Sequence, residues 1–327
     1  MSTIKKIIFI AWNEYHARNE SISQYLKIDS YHIGKHHSNK IASAISFIKK
    51  SIKTLSILIK KKPDVLIITN NAWVLPALSM IYCKIKKTKL IFDTHSCGIS
   101  GSNITYPNYL KKKFAKNVFL NIVTNTEHAK VITKWGGKPF VLPDPPLKLD
   151  DIITNEYKVS NKINICYINT YSSDEPYNEV VNSVKNLNNI TLYITGNYKN
   201  KNIKLINNEN IIHTGFLNRS QYIDLLKKSD IIMTLTTQEN TFQCGANEAL
   251  SLAKPLITSN TNVLMNYFYK GTIFVNPNDE NSIKDGIVLM IQQKDKFKNE
   301  MMELKYEKEI EAINKVNKLI NLINNNK

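Results

Sequence analysis

Asp230-Ile231-Ile232-Met233-Thr234-Leu235, the polar run Thr236-Thr237-Gln238-Glu239-Asn240-Thr241-Phe242-Gln243-Cys244-Gly245, then Ala246-Asn247-Glu248-Ala249-Leu250 and Lys254-Pro255-Leu256-Ile257-Thr258-Ser259 decide how this chain folds. An apolar run of strand length passes through a polar loop with a glycine into helical spacing, and a second apolar strand follows. That order is a βαβ unit. Backbone N–H groups left unpaired at the start of such a helix point toward the carboxyl edge of the sheet, and with the helix dipole they attract phosphate. Glu239 before the helix and Glu248 inside it face the same crevice. An ionised carboxylate only accepts hydrogen bonds, which suits sugar hydroxyls. Phosphate for the amides and hydroxyls for the carboxylates together point to a nucleotide-sugar.

The same alternation extends outward in both directions. Lys5 to Trp12, Pro63 to Thr69, Lys89 to His95, Asn121 to Asn125 and Pro139 to Pro143 read as strands, separated by helical stretches at Ala17 to Leu26, 40 to 61 and Trp73 to Lys84. Pro143-Asp144-Pro145-Pro146 then interrupts regular structure, because proline removes a donor and restricts its predecessor. Strands resume at Ile163 to Ile168, Thr191 to Thr195, Ile211 to Thr214, Asp230 to Leu235, Pro255 to Thr258 and Thr272 to Val275. The predicted class is α/β, with two Rossmann-like, doubly wound parallel-sheet domains at 1–146 and 147–327. A tail from Asn281 to Asn325 carries an apolar stripe of Ile310, Ile313, Val316, Leu319, Ile320 and Ile323.

Composition bounds the function. No apolar run approaches the ~18 residues of a membrane span, and Ile7 to Trp12 is too short for a signal-peptide core, so a cytoplasmic protein is expected. Cys83, Cys97, Cys166 and Cys244 are dispersed, which signals neither a disulfide framework nor a zinc site. The formal charge of +17 comes from 44 Lys and Arg against 27 Asp and Glu. Anionic partners are therefore expected, whether nucleic acid, an anionic bilayer or phosphorylated small molecules.

Clustering separates these partners. Lys49, Lys50, Lys53, Lys60, Lys61 and Lys62 punctuate Ile41, Ile45, Phe47, Ile48, Ile52, Leu55, Ile57, Leu58 and Ile59, giving a basic amphipathic helix. Lys111, Lys112, Lys113 and Lys116 with Tyr109, Leu110 and Phe114 form a second cluster. Each lysine beside an anionic leaflet adds about 1 kcal/mol, so two patches fit peripheral attachment to a membrane surface. A lysine-rich solvated face in a chain biased toward Lys, Asn and Ile is the alternative. No helix-turn-helix, zinc-finger or aromatic stacking signature accompanies the charge, and nucleic acid is not expected.

The loop with Glu239, the Gly245 turn, Glu248 on the helix and the following Lys254-Pro255 strand resemble the donor-site motif of GT-B glycosyltransferases, most closely the retaining family 4 type. The resemblance implies two domains facing a central cleft, with the last helix returning to the first domain. It implies that Glu239 touches the transferred sugar, that Thr241 and the turn Gln243, Cys244, Gly245, Ala246 and Asn247 hold phosphate, and that Glu248 binds the ribose. His95, which closes a strand after Asp93, matches a family histidine that approaches the sugar or the acceptor. A structural histidine bonding a loop is the other reading. Gly196 and Asn197 resemble the glycine turn that flanks the nucleoside, and an ordinary tight turn fits them as well. His213-Thr214-Gly215-Phe216 resembles the short strand and turn whose amides pair with the base.

Several positions depart from that pattern. Eight residues rather than seven separate Glu239 from Glu248. Trp12 to Arg18 stand where a glycine-rich turn is usual, and Tyr171-Ser172-Ser173-Asp174-Glu175-Pro176 replace the usual basic pair at the pyrophosphate. Ser172 and Ser173 are candidate phosphate donors, Asp174 and Glu175 repel phosphate unless they cap a helix, and Arg18, Arg219 or a lysine is the candidate for the missing charge. The sequence has no Asp-x-Asp pair, so no metal site and no cofactor beyond the nucleotide-sugar donor are expected. Departure of the diphosphate then relies on helix amides and basic side chains.

The expected activity is glycosyl transfer from a nucleotide-diphosphate sugar to a lipid-linked or polysaccharide acceptor at the cytoplasmic face of the membrane, with retention implied by the family alone. A nucleotide-sugar epimerase of the same fold, a non-catalytic sugar-nucleotide binder and a nucleic-acid binder are the alternatives.

Overall fold

The computed structural model describes residues 5–13, 16–34, 40–95, 98–99, 106–149, 152, 157–200, 203, 205–206, 208–239 and 241–325. Cys97, Asn240 and the side chain of Ile41 lie outside the described residues. The chain divides into two compact units, one of Met1–Pro145 with Glu311–Lys327 and one of Pro146–Ile310. The sequence division at 146 and 147 is therefore shifted by one residue, and the end of the tail belongs to the first unit.

The first unit is built on β1 (Ile7–Ala11), β2 (Asp29–His32), β3 (Val65–Thr69), β4 (Lys89–Thr94), β5 (Leu120–Val123) and β6 (Pro139–Val141). All pair in parallel, in the order β2-β1-β3-β4-β5-β6. Its helices include α1 (Ala17–Leu26), α2 (Lys40–Lys61), α3 (Val74–Lys86), α4 (Asn108–Asn117) and α5 (Thr126–Lys134). Strands covered on both faces need apolar residues throughout, and Val65-Leu66-Ile67-Ile68 are all buried. Ile8, Ile10, Leu66 and Ile68 pack with Leu58 of α2 and with Leu75 and Tyr82 of α3. Phe9, Val65, Ile67 and Ile91 pack on the opposite face with Ile22 and Leu26 of α1.

The second unit repeats the plan with β7 (Ile163–Tyr167), β8 (Ile190–Thr195), β9 (Ile211–Gly215), β10 (Ile231–Thr234), β11 (Leu256–Ser259) and β12 (Thr272–Val275). The parallel order is β12-β11-β10-β7-β8-β9. Its helices are α6 (Tyr177–Val184), α7 (Arg219–Lys228), α8 (Cys244–Ser251), α9 (Asn262–Tyr267) and α10 (Glu280–Gln292), followed by α11 (Lys294–Asn325). Strand order reverses between β7 and β10, the switch point at whose carboxyl ends ligands of such sheets bind. The fold is GT-B, with two Rossmann-like parallel-sheet domains in one chain.

Three expectations change in detail. The tail is two helices broken at Gln293, and its stripe is only partly buried. Val316, Leu319 and Ile323 enter the core of the first unit, while Ile310 and Ile313 are exposed. The carbonyl oxygen of Ile323 accepts from Lys5 Nζ at 2.5 Å and from Lys89 Nζ at 2.8 Å, which satisfies the end of α11 with cations. Lys111 is buried, donating to Asn108 Oδ1 and lying over the Tyr106 ring, so the second lysine cluster presents Lys112, Lys113 and Lys116. α2 has two apolar faces. Leu58 and Thr54 turn inward, and Thr54 accepts from Trp12 Nε1, whereas Ile45, Ile48, Ile52 and Ile59 are exposed among Lys49, Lys53 and Lys60. No described helix is long and apolar enough to cross a membrane.

Candidate functional site

The loop after β10 and the start of α8 carry most of the expected donor contacts. Gln243 occupies the N-cap of α8 without a side-chain cap, and its Oε1 accepts weakly from Thr258 Oγ1. Cys244 is partly buried at the first helical position. Gly245 lets the helix approach the ends of β7 and β10, because a Cβ there would lie 3.0 Å from Ile168 Cδ1 and 3.2 Å from Thr234 Oγ1. Ala246 and Asn247 are buried, so a ligand meets this turn chiefly through its backbone. Thr241 closes a turn on Gln238 through its amide and hydroxyl.

Glu248, one turn into α8, retains only 6% of its accessible surface. Its Oε2 accepts from the Tyr222 hydroxyl of α7 at 2.5 Å. Burial pushes its pKa up to about 7, and the Tyr222 hydrogen bond and the Arg219 charge act in the opposite sense. A carboxylate this buried, yet hydrogen-bonded by a phenol, is poised between its accepting and donating forms near neutrality.

Glu239 stands differently. It is exposed, and its Oε1 accepts from the backbone N–H of Asn262 at 2.7 Å, satisfying an orphan donor at the start of α9. The structure thus gives one of its oxygens a local structural partner. Neighbouring Phe242 packs against Tyr267 and Phe268, which anchors the loop.

The acidic loop after β7 is tied up internally. Glu175 accepts from the amides of Thr170 and Ser172 at 2.8 and 3.0 Å, and from the Thr170 hydroxyl. Asp174 accepts from Thr236 Oγ1 at 2.8 Å. Burial opposes the Asp174 charge, but hydrogen bonds from Ser172 and Thr236 hold its carboxyl below the usual range. These acids therefore shape the loop instead of capping α6, whose N-cap is Pro176. Ser172 borders an open cavity of about 890 Å³ lined also by Tyr171, Tyr177, Ile203, Thr237 and Asn278. Gly196, at φ +104°, brings the end of β8 against this loop, and a Cβ there would lie 2.2 Å from the Asn169 carbonyl oxygen. Asn197 is exposed and accepts from the Lys199 amide, a local turn contact.

In the first unit, polar side chains gather at the carboxyl ends of β4 and β6 and on α1. Arg18 is wholly buried, donating from Nε to Asp93 Oδ1 at 2.9 Å and from Nη1 to Asp144 Oδ1 at 2.5 Å and the Leu142 carbonyl at 2.9 Å. The positive charge expected of it beside a pyrophosphate is here shared between two carboxylates. His95 Nε2 lies 2.8 Å from Asp93 Oδ2, and its ring meets that of His16 edge-on at 4.6 Å. Burial opposes the Asp93 charge, yet Arg18 and His95 hold its carboxyl well below the usual range. Burial, reinforced by His95, lowers the His16 pKa to about 4. His16 Nδ1, Arg18 Nη2 and the Asn19 side-chain amide are buried without partners among the described residues.

Tyr222, Asp144 and His16 carry no sequence signal that marks them as site residues. Tyr222 belongs to an apolar helical period with Leu225 and Leu226, and only its hydroxyl distinguishes it. Asp144 lies in the proline linker and His16 beside Arg18, where nothing local marks a partner. Among the described residues no group of three His, Cys, Asp or Glu is placed to hold a metal ion.

Two parallel sheets, with a helix start and a buried carboxylate at the switch point of the second, have the plan of the GT-B fold. Residues 150–309, just under half of the chain, match the family model described as glycosyl transferases group 1. No curated protein sequence is significantly similar. Sucrose-phosphate synthase from Thermosynechococcus elongatus is similar in structure at a TM-score of 0.69 and 11% identity, over 97% of this chain and 98% of that one. Anabaena HepE in complex with UDP and glucose reaches 0.69 at 12% identity, over 97% and 98%. A putative UDP-N-acetylglucosamine 2-epimerase from Listeria monocytogenes reaches 0.63 at 10% identity, over 95% and 94%. At such identities these likenesses establish the fold alone.

Proposed function

We propose that the protein transfers a sugar from a nucleoside-diphosphate sugar to a lipid-linked or polysaccharide acceptor at an anionic membrane surface, with retention of configuration and without a metal ion. The observation that carries this reading is the pairing of a glycine-bearing helix start with buried Glu248 at the switch point of the second sheet. The amides and dipole of α8 suit a diphosphate, and Glu248 suits a ribose hydroxyl. HepE is a fold relative solved with UDP and glucose, which supports a nucleotide-sugar donor. His95, oriented by Asp93, is the proposed contact to the sugar or acceptor in the first unit, and Glu239 keeps one oxygen beyond its Asn262 contact for the transferred sugar.

The exposed isoleucines and lysines of α2 support the membrane component. Apolar side chains that enter the interface and cations that meet anionic headgroups act together there. The acceptor would accordingly be a precursor in polysaccharide or lipid-linked glycan synthesis.

The test is thermal stability against UDP-, GDP-, ADP- and CMP-sugars for the native protein and for Glu248→Ala. A ligand at one hundred times its dissociation constant adds about 2.7 kcal/mol, a readable shift. Stabilisation of the native protein alone by one donor identifies the base. The anomeric configuration of the product formed from that donor then tests retention. Turnover of a donor without any acceptor would instead favour an epimerase.

A further inference from the structure

The Glu248 carboxylate is held from a neighbouring helix. Tyr222, in the first turns of α7, reaches across to α8 and donates its hydroxyl hydrogen to Oε2 at 2.5 Å. Ile223, Leu225 and Leu226 of α7 are buried, and a phenyl ring at 222 would match the apolar part of the tyrosine equally well. The hydroxyl is therefore the feature that needs a reason, and its hydrogen goes to the carboxylate. The ionisable groups facing Glu248 are Tyr222 and Arg219 from α7 and Cys166 from β7, while Cys244 from the first turn of α8 faces the Tyr222 phenol. Among the described residues Arg219 is the cation acting on this carboxylate, and Tyr222 supplies its hydrogen bond.

We infer that Tyr222 is a positioning residue of the donor site, whose hydroxyl fixes the Glu248 carboxylate as an acceptor for a ribose hydroxyl of a nucleoside diphosphate. The inference rests on the donor-site reading of Glu248. An ionised carboxylate has room for about four donors, so one phenol orients it and leaves capacity for a ligand. A carboxylate already held in one rotamer loses less freedom when the ligand arrives. The phenol also favours the ionised form. Burial drives Glu248 toward protonation and the Tyr222 bond opposes it, so loss of the hydroxyl raises the pH at which the carboxylate becomes available.

The experiment is titration of UDP, GDP, ADP and CDP, and of the 2′,3′-dideoxy form of the one that binds, into the native protein and Tyr222→Phe across the neutral pH range. The expected result is about tenfold weaker binding of the ribonucleotide by Tyr222→Phe at neutral pH, the size of one hydrogen bond to a charged group. The pH midpoint of binding moves upward in the variant, and the dideoxy form binds both proteins alike. Equal ribonucleotide affinity and equal pH midpoints would overturn the positioning role while leaving the donor site standing. Equal weakening of the ribo and dideoxy forms would also overturn it, because that result marks a packing defect. If the native protein binds none of the four, the donor-site reading falls and the inference with it.

Discussion

Arg18 and Asp93 meet at 2.9 Å with both side chains wholly removed from solvent. Asp144 takes a second guanidinium nitrogen, so one cation serves two carboxylates. Removing the cation takes the guanidinium from both acids and leaves Asp93 with His95 as its remaining partner. Arg18→Met is expected to lower unfolding free energy by about 3–5 kcal/mol, read as a lower midpoint in urea denaturation. A variant of unchanged midpoint would show that the network contributes no stability.

Gly196 is the position where β8 and the loop after β7 touch. Its φ of +104° and the 2.2 Å between an added Cβ and the Asn169 carbonyl oxygen leave no small adjustment, since the obstacle is backbone. Gly196→Ala is expected to cost about 2 kcal/mol or more through forced displacement of the loop. Calorimetric melting of the variant checks this, and donor-induced stabilisation should shrink with it if the loop borders the donor.

The pH behaviour of Glu248 separates folding from binding. Its folded-state pKa of about 7 lies above the ordinary 4.5, so its contribution to ligand-free stability is full below 4.5 and disappears as pH rises through about 7. The buried group sets an upper bound of roughly 3 kcal/mol on this loss. His16 works in the opposite direction. Its value is lowered to about 4, so its contribution is present above 6.5 and is lost as pH falls through about 4. The difference between native protein and Glu248→Gln isolates the first effect. Native stability relative to the variant should fall between about 4.5 and 7 while donor affinity rises over the same interval.

The outward face of α2 gives a prediction that leaves the core untouched. Ile48 and Ile52 are 62% and 63% exposed. The double substitution Ile48→Glu with Ile52→Glu should leave the melting temperature within a degree or two and abolish co-sedimentation with vesicles rich in anionic lipid. Vesicle binding equal to that of the native protein would remove α2 from the membrane reading.

The sequence makes the interior strands plain and the polar partnerships obscure. β3, β10 and β11 are buried on both faces, and that demand writes a continuous apolar run into Val65 to Ile68 and Ile231 to Met233. β2 is an edge strand of Asp29-Ser30-Tyr31-His32, whose polar character carries no strand signal. Periodicity places Glu248 on the helix after β10, but it contains nothing about Tyr222 closing on it from another helix. Arg18 reads as a lone cation after the first strand because Asp93 and Asp144 are distant in sequence. Asp174 reads as a repulsive acid because its hydroxyl partner Thr236 comes from another strand's loop. Each of these side chains changes meaning with a neighbour supplied by the tertiary fold.

Val316, Leu319 and Ile323 belong to the core of the first unit, although the whole of Pro146–Ile310 separates them from the rest of it. During synthesis the ribosome delivers the second unit complete before the first has its last buried side chains. The apolar surface around Phe9, Ile22 and Ile67 therefore stays uncovered through that interval, and the portion of the protein made earliest matures last. Chaperone demand on the nascent chain should accordingly fall on the first half and persist until α11 emerges.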